Sequence, residues 1–97
     1  DLVLDTAQKC IKKQGESVHL TPIEYALLYK LMENAECIVK REQLMRCIGD
    51  ETDIFVEDNT LSVNMSRLRT KIGADKIETI RGFGYRFVGK VYKEIYE

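Results

Sequence analysis

Between Asp58 and Ile72 the chain reads DNTLSVNMSRLRTKI, a mixed set of donors, acceptors and apolar groups. Wound as a helix at about 100° per residue, Leu61, Met65, Leu68 and Ile72 form one apolar stripe. Thr60, Val63, Asn64, Arg67 and Lys71 share a second arc, which Ser66 and Thr70 extend. From that arc the Arg67 guanidinium can donate two hydrogen bonds to guanine O6 and N7, and the Asn64 amide matches adenine N6 and N7 or a phosphate. Val63 lies off the core stripe, where a branched apolar group can meet a thymine methyl. Thr60 sits near the helix start, where unpaired backbone N–H groups favour an anion such as phosphate. Arg69 and Lys71 read as phosphate anchors, although Arg69 stands at the edge of the arc and could pair with an acid instead. The plain alternatives are a solvated Arg67 and a singly exposed Val63, and neither is unusual on a protein surface.

A further cation, Arg81, precedes Gly82 in the string RGFGYRF. A narrow A·T-rich minor groove carries enhanced negative potential and attracts an inserted arginine. Thr79, two residues earlier, is placed to support a backbone contact. Tyr85 and Phe87 fit a core better than a stacking platform. The string lacks the third glycine of a dinucleotide fingerprint and does not sit between a strand and a helix. No paired carboxylates, Ser-His-Asp set or P-loop is present, so an enzyme is not expected. Cys10, Cys37 and Cys47 have no metal-ligand spacing and are read as reduced cysteines in the cytoplasm, with no metal or cofactor expected. His19, the only histidine, has no nucleophile or ligand partner and reads as a strand surface residue.

The elements that must position these groups are also legible. Short β-like runs at residues 2–4, 9–12 and 18–20 suggest a small antiparallel N-terminal sheet, with Gln14-Gly15 as a turn. In Leu20-Thr21-Pro22-Ile23-Glu24-Tyr25, Thr21 and Glu24 have the spacing of a capping box and Pro22 stands at N1. Leu20 and Tyr25 take the hydrophobic-staple positions. Ile23, Leu27, Leu28, Leu31 and Met32 continue the helix to about residue 34. Residues 36–39 connect to a second helix over 41–48, with Leu44, Cys47 and Ile48 inward and Gly49 as its C′ residue. Residues 50–57 read as an acidic loop. Asp58 or Asn59 caps the third helix, and Gly73 ends it. Residues 77–80 and 85–88 flank a glycine-containing loop and predict a hairpin, followed by a fraying end over 92–97.

At 97 residues the chain is expected to be one domain. Its formal net charge of −1 hides an asymmetry. Residues 1–59 carry 7 Lys/Arg and 12 Asp/Glu, whereas residues 60–90 carry 7 Lys/Arg and 2 acids. A basic block on an acidic body is the electrostatic footprint of a nucleic-acid face, or else a solvated charged surface. No apolar run approaches the ~18 residues of a membrane span, and no signal peptide is evident. Asp1 in place of an initiator Met suggests a domain of a longer protein.

Three helices followed by a hairpin form the layout of an α+β winged helix-turn-helix. The order divides into an N-terminal sheet (2–20), a three-helix core (21–73) and a wing (76–89). With these residues in view, the chain resembles the C-terminal effector domain of OmpR/PhoB-type response regulators over residues 20–88. The likeness rests on Leu20-Thr21-x-x-Glu24-Tyr25-x-Leu27-Leu28, on Arg41-Glu42-x-Leu44, on Asn59-Thr60-Leu61-Ser62-Val63-Asn64-Met65-Ser66-Arg67-Leu68-Arg69-x-Lys71, and on Ile77-x-Thr79-Ile80-Arg81-Gly82-x-Gly84-Tyr85-Arg86-Phe87. Several ordered motifs at family spacing make it strong. The wording of the third helix resembles the branch that answers cell-envelope-active antimicrobial peptides.

The resemblance implies the third helix (58–72) in the major groove of double-stranded promoter DNA and the wing (77–88) in the minor groove. It implies a phosphorylated receiver domain outside this chain, served by a histidine kinase, that drives a dimer onto tandem half-sites. It also implies that residues 50–57 contact RNA polymerase. The sequence departs from the family pattern at Ile48 (commonly Trp), Lys40 (a small N-cap), Ser62 (an acid) and Asn64 (often His). These departures bear on base preference and leave the fold untouched. A winged-helix module whose basic face meets an acidic protein is the competing reading.

Overall fold

The computed structural model describes residues 2–52, 57–89 and 92–94. Their order is β1 (Leu2–Asp5), β2 (Cys10–Lys13), β3 (Glu16–Val18), α1 (Pro22–Glu33), β4 (Ile38–Lys40), α2 (Arg41–Thr52), α3 (Asp58–Ile72), a 3-10 turn (Ala74–Lys76), β5 (Ile77–Ile80), β6 (Gly84–Phe87) and β7 (Tyr92–Glu94). The expected α+β winged helix is present.

Two sheets frame the helices. The first has the order β3-β2-β1-β7. Its β1–β2 turn is shaped by Asp5, which is buried and accepts the N–H groups of Ala7 and Gln8 at 3.0 Å each. β7 pairs in parallel with β1, with Leu4 opposite Lys93. Part of the predicted fraying end is therefore a strand. Three residues carry little local β signal, and the pairing with β1 supplies what local sequence does not.

The capping box over Thr21 and Glu24 forms as the spacing predicts. The Thr21 hydroxyl accepts from the Glu24 N–H at 3.2 Å, and the Glu24 carboxylate accepts from the Thr21 N–H at 3.0 Å. Gly49, expected to end α2, lies inside it. It does not take the positive φ of a glycine stop, and an interior glycine costs a helix only about 1 kcal/mol. The helix therefore continues to Thr52, through the first three residues of the predicted loop 50–57; residues 53–56 lie outside the described residues. α3 has the predicted bounds but a different cap. Glu57 is the N-cap residue, without a side-chain capping bond.

The connector read over 36–39 contains β4, whose exposed-buried-exposed pattern turns only Val39 inward. β4 pairs with β6, and β6 with β5, giving the second sheet the order β4-β6-β5. One core joins all layers. Leu27, Leu28 and Leu31 of α1 meet Leu44 and Ile48 of α2, the Leu61/Met65/Leu68/Ile72 stripe of α3, and Tyr85 and Phe87 of the wing. Ile48, which stands where the resembled family commonly has Trp, is 1% exposed.

Candidate nucleic-acid interface

With its apolar stripe fully buried, α3 has a fixed rotation. The row facing outward is Asn59, Ser62, Val63, Ser66, Arg67 and Thr70, all exposed. Val63 is 38% exposed, as expected for a residue off the stripe. Arg67 is exposed and has no hydrogen-bond or ion-pair partner among the described residues. Thr60 is half-buried one turn below, at the helix start.

Three members of the predicted arc are turned inward or held by partners. Asn64 is 9% exposed, and its amide donates to the Thr60 carbonyl at 2.9 Å. It is three residues from Leu61 and four from Leu68, which sets it roughly 70° from the stripe centre, on the shoulder of the core. Its amide is thereby engaged within the helix.

Lys71 lies on the same shoulder. Its ammonium meets the Glu24 carboxylate at 2.5 Å. Glu24 is almost fully buried. Burial raises the carboxyl's pKa, but the hydrogen bonds from Lys71 and the Thr21 backbone, together with the Lys71 charge, outweigh it and hold the pKa below its ordinary value. Lys71 is therefore the counter-ion of a buried acid.

Arg69 lies on the opposite flank, half-buried. Its Nε donates to the Ile77 carbonyl at 3.2 Å and its Nη2 to the Thr79 hydroxyl at 2.5 Å. The guanidinium carbon stands 5.5 Å from the centre of the Tyr85 ring. Among the described residues no acid pairs with it; a carbonyl, a hydroxyl and an aromatic face are its partners. Thr79 is exposed, but its hydroxyl is occupied by Arg69.

The wing tip is Arg81-Gly82-Phe83. Arg81 is exposed without a partner among the described residues, and Gly82 has φ +83°, which suits glycine alone at low cost. Gly84 serves a different need. A Cβ there would lie 2.0 Å from the Val39 carbonyl oxygen, so only glycine lets β6 pass this close to β4. Phe83 is 64% exposed, the most exposed large apolar residue described. Its sequence signal is an aromatic ring between two glycines at a hairpin tip. Farther back, Arg86 is held by Glu78. Tyr85 and Phe87 are core residues, as expected.

No group of three metal-ligating side chains occurs among the described residues. No described helix is long and apolar enough to cross a membrane. A groove of about 660 Å³ between α1 and the N-terminal sheet, lined by residues such as Pro22, Tyr25 and Tyr29, shares no residue with α3 or the wing.

Residues 15–87 match the family described as "Transcriptional regulatory protein, C terminal". The chain is 42% identical over 88 residues to the transcriptional regulatory protein BasR of Escherichia coli, covering 91% of this chain and 39% of that protein. It is 41% identical over 86 residues to the response regulator PmrA of Pseudomonas aeruginosa, covering 88% of this chain and 38% of that protein. The chain thus spans about two-fifths of the length of these relatives. Among solved structures, it is similar to the C-terminal domain of the nisin resistance regulator NsrR, with 38% identity, a TM-score of 0.71, and 84% and 86% of the two chains covered. It is also similar to the DNA-binding domain of Klebsiella pneumoniae RstA, solved in complex with the RstA box, with 27% identity, a TM-score of 0.73 and 88% of each chain covered. The chain therefore belongs to the family of C-terminal domains of transcriptional regulatory proteins, the winged-helix effector domains of OmpR/PhoB-type response regulators.

Proposed function

We propose that this domain binds double-stranded promoter DNA sequence-specifically and regulates transcription as the output domain of a cytoplasmic two-component response regulator. The observation that carries the reading is the outward row of α3. Val63 and Arg67 face solvent there, while the core stripe fixes the helix behind them. In this reading α3 enters the major groove. Arg67 reads a guanine edge, Val63 meets a thymine methyl, and Thr60 lies against phosphate. Arg81 enters the adjacent minor groove from the wing. The RstA domain bound to its box supports the DNA role by similarity. In this reading Asn64 is not a base reader and Arg69, Lys71 and Thr79 are not backbone contacts, because each has a polar group engaged by an internal partner.

The wider assembly is part of the same proposal. A receiver domain phosphorylated by a histidine kinase would bring two effector domains onto tandem half-sites. Residues 50–57 would contact RNA polymerase. The resemblance of the third helix to the antimicrobial-peptide branch is supported by the similarity to the nisin resistance regulator NsrR.

Selection of bound duplexes from a random pool tests the function directly. A recurring half-site at fixed spacing is the expected outcome. Failure to enrich any sequence would favour the competing reading, in which the basic face meets an acidic protein.

A further inference from the structure

Arg69 stands among the cations of the reading helix yet points away from the outward row. Among the described residues its planar guanidinium makes three contacts, and all three are with the wing. Ile77 and Thr79 belong to β5 and Tyr85 to β6, and Thr79 is paired with Tyr85 in the hairpin register. One side chain of α3 therefore grips both wing strands at the same rung. The Tyr85 hydroxyl in turn accepts from Arg41 Nη1 at 3.5 Å, at the first residue of α2. The Arg69 carbonyl accepts the Gly73 N–H at 2.8 Å, where α3 ends and the chain turns toward β5. Tyr85 is thus the hub at which both helices of the helix-turn-helix meet the wing.

We infer that Arg69 is a positioning residue that sets the wing against the reading helix, so that Arg67 and Arg81 engage one DNA site together. The inference rests on the DNA-binding reading above. A phosphate anchor needs a cation directed to solvent, and the charge alone suffices for it. A strut needs the planar fork, because Nε and Nη2 reach two acceptors at a fixed angle that an ammonium cannot reproduce. Lysine at position 69 keeps the charge and loses the fork, which separates the two roles.

The test is a double-mutant cycle on a duplex obtained from the random-pool selection, read by fluorescence anisotropy. The four proteins are wild type, Arg69→Lys, Arg81→Ala and the double variant. Arg81→Ala alone is expected to weaken binding about tenfold. In the Arg69→Lys background the same change is expected to matter by less than about twofold, because the wing is already out of place. Thr79→Val, which removes one acceptor from an exposed position, is expected to reduce the Arg81 contribution in the same direction and guards against misfolding of the lysine variant. Hydrogen exchange at the amides of residues 80–84 is expected to quicken in Arg69→Lys while that of α1 is unchanged. If the Arg69→Lys and Arg81→Ala effects multiply independently, Arg69 is a separate contact and the inference is overturned. If wild type captures no duplex, the DNA-binding reading fails and takes the inference with it.

Discussion

Lys71 on α3 meets Glu24 on α1 at 2.5 Å, and the same carboxylate oxygen closes the α1 capping box on the Thr21 N–H. One buried acid thus ties the first helix, its cap and the end of the reading helix together. The resulting stability depends on pH. The folded-state pKa of Glu24 lies below its ordinary value. Its contribution is therefore fully present above the unfolded value, about 4.3 for a glutamate, and is lost as pH falls through the lower folded value. Thermal unfolding followed from pH 7 to pH 2 is expected to show a loss of stability that Glu24→Gln largely removes. Equal acid slopes in both proteins would refute the role given to this pair.

Removing Lys71 is expected to destabilise the fold rather than release DNA. Lys71→Met leaves a nearly fully buried carboxylate without its counter-ion, at a cost of several kcal/mol for a buried pair, discounted here because the lysine is one-third exposed. Chemical denaturation should show a lowered midpoint. DNA affinity measured well below that midpoint should change little. A large loss of affinity with unchanged stability would return Lys71 to the set of phosphate anchors.

Arg67→Ala is expected to cost ~1–3 kcal/mol of binding and to relax preference at one base pair. Anisotropy titrations on the selected duplex and on single-base variants of it would show both effects. Equal losses on every duplex would make Arg67 a phosphate contact instead.

The charge asymmetry overstates the number of cations available to DNA. Of the residues in the basic block, Arg69, Lys71 and Arg86 are held by internal partners. The dependence of log K on log salt should therefore be shallower than the basic count suggests. Arg81→Gln should reduce the slope by about 1, whereas Lys71→Gln should leave it unchanged. A drop of similar size in Lys71→Gln would count against this division.

Gly84→Ala is expected to displace the wing, because its Cβ would fall 2.0 Å from a backbone carbonyl oxygen that cannot rotate away. Overpacking of this kind costs typically 1–3 kcal/mol. Val63→Ala, a surface change, should stay within about 0.5 kcal/mol. Comparing the two by thermal unfolding checks whether β4 and β6 are as closely joined as described; a neutral Gly84→Ala would show that they are not.

Much of this fold is written locally. The capping box, Pro22 and the α3 stripe each specify their own segment through neighbours three or four residues away. Gly73 ends α3 as predicted because its φ of +113° leaves helical backbone at a value glycine adopts readily. What local reading missed depends on distant partners. β4 and β7 are three-residue strands completed by β6 and β1. Gly49 looked like a stop because a glycine there satisfies the local pattern whether or not the helix continues. The same division runs through the site. The exposure of Val63 is legible because the stripe excludes it, and that of Arg67 and Arg81 because charged groups off the core stay in solvent. The internal partners of Lys71 and Arg69 are not legible locally, because they lie 47 residues before and 8 to 10 residues after them in the chain. A helical wheel assigns direction but not partners.

The close passage of β6 beneath the Val39 carbonyl has a mechanical consequence. The strand leading into α2 is also a strand of the wing sheet, so a swing of the hairpin is opposed by the β4–β6 pairing as well as by the Arg69 contacts. The span from Arg67 on α3 to Arg81 at the hairpin tip then behaves like the jaws of a caliper set to one width. A duplex engaging both jaws must itself adjust, by narrowing or bending, when its groove geometry differs. Sequences that deform cheaply would be favoured even at base pairs no side chain touches.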